Sequence, residues 1–195
     1  MQSAFPGMPP VRMRLEKRIP FGAGLGGGSS DAAFVLRTLR DLFHLNASDS
    51  ELERMAAQLG ADCAFFIKDL PAYATGIGDQ LEPVEVDVSP YRFVLVKPDD
   101  HVSTREAYSG IAPTPSEIDL REAVKRPIGE WKRLIKNDFE RSVFANHPRI
   151  AAMKEMLYSK GALYASMTGS GAAVFGFFPK ETKIEGLENV VYVSL

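Results

Sequence analysis

Residues 20–33 read Pro-Phe-Gly-Ala-Gly-Leu-Gly-Gly-Gly-Ser-Ser-Asp-Ala-Ala, with five glycines between Gly22 and Gly28. This run constrains the chain more than any other. Glycine has no Cβ, so a loop this dense in glycine lets backbone N–H groups close on an anion. An apolar helical pattern starts directly behind it, and a helix N-terminus adds about half a positive charge and several unpaired donors. Ordering so many glycines costs conformational entropy that a plain turn has no reason to spend. The segment is read as a phosphate-binding loop feeding a helix.

At 195 residues, 45% apolar and 25% charged, the chain has the make-up of an ordinary globular protein of one or two domains. A net charge of −2 offers no electrostatic case for nucleic acid or an anionic membrane. The local cluster Arg12, Arg14, Lys17 and Arg18 is read as the solvated face of a strand. The single cysteine, Cys63, excludes an intramolecular disulfide, fits a reducing, cytoplasmic setting, and is read as a small buried hydrophobe. No apolar run approaches the ~20 residues that span a bilayer, and the first ten residues lack the pattern of a signal peptide.

Val11, Met13 and Leu15 alternate with charged residues, which predicts a half-buried strand ended by Pro20. Ser29 or Ser30 is the expected N-cap of the helix behind the loop, with Asp31 in its first turn. Ala32, Val35, Leu36, Leu39, Leu42 and Phe43 supply its buried face. Ser48 and Glu51 form a capping box for a second helix, which Gly60 closes, and Asp62 follows that stop. Ala64 to Ile67 reads as a short buried run. Two strands are expected around Gly76-Ile-Gly-Asp79, and Ser89-Pro90 as a domain boundary. Beyond it, a core strand is predicted over 91–96, a long connection with one helical turn over 99–118, and helices over 130–144 and 149–160. A strand–turn–strand unit covers 163–178, and a last strand 190–193. Without a regular βαβ rhythm, the fold class is α+β.

The loop is no Walker A motif, because no lysine stands before Ser29. Gly22-x-Gly24-x-x-Gly27 fits the letters of a dinucleotide fingerprint, but Asp41, the candidate acid about 20 residues on, falls inside a helix pattern. Gly-Leu-Gly-Gly-Gly-Ser-Ser-Asp-Ala-Ala does resemble the nucleotide-binding motif of the GHMP small-molecule kinases. Within them it resembles the branch acting on 4-diphosphocytidyl-2-C-methyl-D-erythritol, as does Leu59-Gly-Ala-Asp-Cys-Ala-Phe-Phe66. Met167-Thr-Gly-Ser-Gly-Ala-Ala-Val-Phe-Gly176 resembles the third glycine motif of the superfamily, and Asn137-Asp-Phe-Glu140 another segment of the branch. The order of the motifs agrees, and the similarity covers nearly the whole chain.

The resemblance implies a two-domain α+β fold. Residues 1–89 would be the later part of the ATP-binding domain, and 90–195 a ferredoxin-like C-terminal domain. It implies an ATP- and Mg²⁺-dependent kinase whose acceptor is the cytidine diphosphate-linked methylerythritol, a monomer or homodimer. Gly22, Gly24, Leu25, Gly26, Gly27, Gly28, Ser29 and Ser30 would cradle the ATP phosphates, with the hydroxyl of Ser29 or Ser30 on a phosphate or Mg²⁺. Lys17 would lie near the adenosine. Asp62 would accept or orient the proton of the attacking hydroxyl. Tyr108 would lie against the cytosine ring, and Thr168, Gly169, Ser170 and Gly171 would approach the phosphates and the acceptor.

The sequence departs from the branch in two respects. Ala64 stands where a proline is usual, and the strand with a Lys-x-Asn motif that opens the family's pattern is not found. The chain is therefore expected to act as a fragment with weak or no activity. The readings to be separated from the leading one are another GHMP kinase (homoserine, mevalonate or sugar) and a non-catalytic nucleotide-binding module.

Overall fold

The computed structural model describes residues 1–19, 22–112, 118–187 and 190–194. Contacts divide the chain into two units, Met1–Pro20 with Gly26–Val84, and Phe21–Leu25 with Glu85–Leu195.

In the first unit, α1 runs over Gly27–Leu42 and buries Ala33, Leu36 and Leu39. Leu42, expected on that face, is 62% exposed. The helix begins ahead of the predicted serine caps. Gly26, at φ +61°, takes the cap position, and no side chain caps the N-terminus. A left-handed glycine turns the chain straight into the helix, so Ser29 and Ser30 are already inside it and Asp31 lies beyond the first turn.

The capping box forms as predicted. Ser48 Oγ accepts the Glu51 N–H at 3.3 Å, and Glu51 Oε2 accepts the Ser48 N–H at 2.7 Å, opening α2 over Asp49–Ala57. Gly60 is not a left-handed stop: the helix ends at Gln58, and Gly60 is extended at φ 176°. A 3₁₀ turn over Ala61–Cys63 and the short α3, Phe65–Lys68, follow. The hairpin of β1 (Ala72–Thr75) and β2 (Gln80–Pro83) completes the unit, with Thr75 opposite Gln80. Leu36, Leu52, Ala56, Cys63 and Ile67 form its core, and the Cys63 thiol is free and buried as expected.

The strand predicted over Val11–Leu15 does not form; Met13 and Leu15 are 63% and 66% exposed. Alternation specifies a face, but a strand also needs a ladder partner for its N–H and C=O groups. Among the described residues none pairs with this segment.

The second unit is built on a four-stranded antiparallel sheet of order β4-β5-β3-β6. Its strands are β3 (Tyr91–Val96), β4 (Tyr164–Met167), β5 (Val174–Pro179) and β6 (Val190–Val193). The period of two sorts their side chains. Val94, Val96, Val174 and Phe178 join one core with Ile150 and Leu157, whereas Tyr164 and Phe177 join a second with Ile128 and Trp131. The first core lies under α7 (Glu140–Asn146) and α8 (Pro148–Ser159), the second under α6 (Ile128–Leu134).

The helix predicted over 130–144 is thus two. Ile135 is extended (φ −115°, ψ 117°), and Asn137 Oδ1 accepts the Phe139 N–H at 3.0 Å, a side-chain turn that competes with helix. The connection after β3 holds α4, Thr104–Ser109, and a short α5, Leu120–Ala123, not foreseen from the sequence. Residues 113–117 of that predicted connection lie outside the described residues.

Candidate active site

Two glycine segments close on each other within the second unit. Thr168 Oγ1 donates to the Gly24 carbonyl at 2.8 Å, and the Ala173 N–H donates to the Ala23 carbonyl at 3.2 Å. Gly24 has φ +69°, and a Cβ there would fall on the Thr168 carbonyl oxygen and within 3.0 Å of the Gly171 nitrogen. Backbone meets backbone here, which only glycine permits. The Gly171 N–H returns to Thr168 O at 2.9 Å, so the second loop is a closed turn. Gly169 is exposed, and Leu25 and Ser170 are half-buried. Gly22 is exposed and faces the His101 ring.

The rest of the first glycine loop belongs to the other unit. Gly26 leaves no room for a Cβ, because the Phe66 ring lies 2.7 Å from where that atom would be. Gly28 differs: it is exposed, and among the described residues a Cβ would meet nothing within 4 Å. The Ser30 N–H reaches Gly26 O at 2.9 Å. The N–H groups of Gly27, Gly28 and Ser29 precede the first possible helical acceptor. Lys17 brings its ammonium to this end, paired with Asp31 Oδ2 at 2.5 Å and 3.0 Å from where a Gly27 Cβ would stand. The helix dipole acts at this point, beside an ammonium whose charge the Asp31 carboxylate balances.

Asp62 sits in the 3₁₀ turn, exposed, between the end of α2 and the buried Cys63. Packing of Cys63 fixes the turn and leaves the neighbouring carboxylate outward. Gly78, in the β1–β2 turn, comes within 3.4 Å of Asp62 Oδ1, measured from the site of its missing Cβ. The sequence flagged that turn only as a hairpin.

Tyr108 is 64% exposed on α4, its ring edge-on to Phe139 with centroids 4.9 Å apart. On the same helix, Glu106 pairs with His147 Nε2 at 2.8 Å, and this hydrogen bond holds the Glu106 carboxyl below its ordinary range. Asn137 and Glu140, given no role from sequence, reach the third glycine motif. Asn137 Nδ2 donates to the carbonyls of Met167 at 2.9 Å and Gly169 at 2.8 Å. Glu140 Oε1 accepts the Met167 N–H at 2.8 Å, and its other oxygen takes the Lys154 ammonium. An open cavity of about 880 Å³ lies beside this segment, lined by Gly110, Lys136, Asn137, Arg141, Phe144 and Lys154 among others. Among the described residues, no three His, Cys, Asp or Glu side chains group to hold a metal. No described helix is long and apolar enough to cross a membrane.

The model of the GHMP kinases N terminal domain matches residues 1–69, and that of GHMP kinases C terminal matches 120–192. A 4-diphosphocytidyl-2-C-methyl-D-erythritol kinase of Azobacteroides pseudotrichonymphae is 46% identical over 184 residues, 93% of this chain and 68% of that protein. The chain belongs to the 4-diphosphocytidyl-2-C-methyl-D-erythritol kinase branch of the GHMP kinases. The Bacteroides fragilis protein of the same name is 53% identical over 93% of the chain and 66% of its own length. A crystal structure of 4-(cytidine 5'-diphospho)-2C-methyl-D-erythritol kinase superposes with a TM-score of 0.70 at 33% identity, over 83% of this chain and 59% of that one. The chain thus spans about two thirds of the length of the curated relatives it matches. The α+β GHMP fold expected from the motifs is the fold observed.

Proposed function

We propose that the protein carrying this chain transfers the γ-phosphoryl group of ATP to the 2-hydroxyl of 4-diphosphocytidyl-2-C-methyl-D-erythritol. The observation that carries the chemistry is the start of α1. A sixteen-residue helix opens without a side-chain cap, on an open-sided Gly28 and beside the Lys17 ammonium. Its first donors are left for a ligand, and the helix dipole makes that end favourable for the negative charge of a polyphosphate. The acceptor follows from the names of the relatives.

In the reaction, the acceptor hydroxyl oxygen bonds to the γ-phosphorus, the bond from that phosphorus to the ADP oxygen breaks, and the hydroxyl proton passes to Asp62. Asp62 is suited as base or orienting group because it is exposed in a turn fixed by Cys63. The N–H groups of Gly27, Gly28 and Ser29 would spread the phosphate charge. The clasp of Thr168 on Gly24 would hold the neighbouring loop in one shape. Magnesium keeps most of its waters and takes few protein ligands, so the Ser30 hydroxyl is a sufficient protein share. The ion would neutralise charge on the transferring group. Tyr108, exposed, would stack on the cytosine.

The test is ADP release by the intact gene product with the cytidylyl acceptor, homoserine and mevalonate offered in parallel. Turnover is expected with the first alone. Turnover confined to another acceptor would change the branch, and none with any would remove the reading.

A further inference from the structure

Asn137-Asp-Phe-Glu140 is the one motif left without work in the reaction above. Its three packed side chains face two different parts of the site. Both amide hydrogens of Asn137 are committed to the third glycine motif, on Met167 O and Gly169 O. The acceptor end of the same side chain takes the Phe139 N–H at 3.0 Å, which fixes the turn ahead of α7. Glu140 holds the end of β4 from the first residue of that helix, through Met167 N at 2.8 Å and Ser166 Oγ at 3.2 Å. It is kept in place by Lys154 of α8. Phe139, between them, sets its ring against the ring of Tyr108.

From this juxtaposition we propose that Asn137, Phe139 and Glu140 are positioning residues that hold the Thr168–Gly171 loop and Tyr108 in one fixed relation. This rests on the proposed function only for what those two parts grip. A carbonyl has two lone pairs and no fixed direction in a glycine turn. Two donors from one planar amide set the orientation of both carbonyls at once. The charge-assisted bond of Glu140 to a backbone N–H is of the stronger kind. Displacing a positioned group by about 1 Å costs about a hundredfold in rate.

Two substitutions separate the two ends. Asn137→Asp keeps size and the bond to the Phe139 N–H, but replaces both donors by an oxygen that repels the two carbonyls. Phe139→Leu removes the ring contact with Tyr108 and leaves Asn137 alone. Asn137→Asp should lower kcat by about a hundredfold with KM for the acceptor little changed. Phe139→Leu should raise KM for the acceptor and spare that for ATP, and Phe139→Tyr should restore it. A loss of packing alone would move both constants in both variants.

The amide resonances of Gly169 and Gly171 should shift in Asn137→Asp, and the ring resonances of Tyr108 in Phe139→Leu. Those spectra need no turnover, so they decide the positioning even if the wild-type protein phosphorylates no acceptor offered. If Asn137→Asp proves unfolded, Asn137→Ser, which cannot donate twice, replaces it. Unshifted glycine resonances in the folded variant, or equal effects of both substitutions on both constants, overturn the proposal.

Discussion

The glycines of the loop differ at the level of single residues, and substitution separates their roles. Gly24 is required by the fold: its φ of +69° and the Thr168 carbonyl at its missing Cβ leave no room for a side chain. Gly24→Ala should cost more than about 2 kcal/mol, from left-handed strain plus displacement of the clasp, measured by urea unfolding. Gly28 is required by no packing among the described residues, since a Cβ there meets none of them within 4 Å. Gly28→Ala should leave stability unchanged or raise it by about 0.5–1 kcal/mol, yet weaken ATP binding in calorimetry. Unaltered ATP affinity in that variant would take phosphate away from the start of α1. Asp62→Asn is expected to lower kcat by about 10²–10⁴-fold with ATP affinity kept. Near-normal turnover would remove Asp62 from the chemistry.

Local signals served well at the scale of elements wherever they were complete within the element. The spacing of Leu36 and Leu39 and the reciprocal Ser48–Glu51 box needed no distant partner, and both are found, although Ala33 and not the expected Ala32 is the alanine buried at the helix start. Removing half the box by Ser48→Ala should cost about 1 kcal/mol, seen as a lower midpoint of thermal unfolding. Signals that depend on a distant partner misled. Val11–Leu15 alternates as a strand does, but alternation cannot supply the neighbour that a ladder needs. The break between α6 and α7 was hidden for the same reason. Residues 130–144 keep a helical spacing, and the turn at Asn137 is held by carbonyls thirty positions on, at Met167 and Gly169. The start of α1 was misplaced because serine is the commoner cap, whereas here left-handed Gly26 does the turning. The glycine motifs and the Asp62 segment were legible as letters. What Asn137 and Glu140 touch was not, since both contacts cross from a helix start to a strand end.

For the molecule as a whole, two tyrosines of the second unit shape the pH response of stability at the alkaline end: burial raises the Tyr158 phenol above its ordinary value, and that of Tyr164 further. Tyr164 is buried in the aromatic core of the sheet, and that burial pushes its phenol up to about 12 from an ordinary 10.0. A folded value above the unfolded one means the unfolded chain gives up the proton first. Stability from this group is therefore complete below pH 10 and lost as pH rises toward 12. A displacement of that size corresponds to about 3 kcal/mol. Unfolding free energies measured across that range should fall less steeply in Tyr164→Phe than in the parent; equal slopes would assign the fall to other groups. Near pH 6.0 the net charge vanishes, and self-association should be greatest there.

The order in which the chain visits its two units has a practical consequence for anyone cutting the gene. Five residues, Phe21–Leu25, leave the first unit, join the second through Ala23 and Gly24, and return. A boundary after Val84 assigns them to the wrong piece. An expressed fragment 85–195 would lack the segment that takes the Thr168 hydroxyl and the Ala173 N–H, and fragment 1–84 would carry it with nothing to receive it. Dissection therefore needs a redesigned connection: a second piece that brings its own copy of residues 21–25, not a stop codon and a new start.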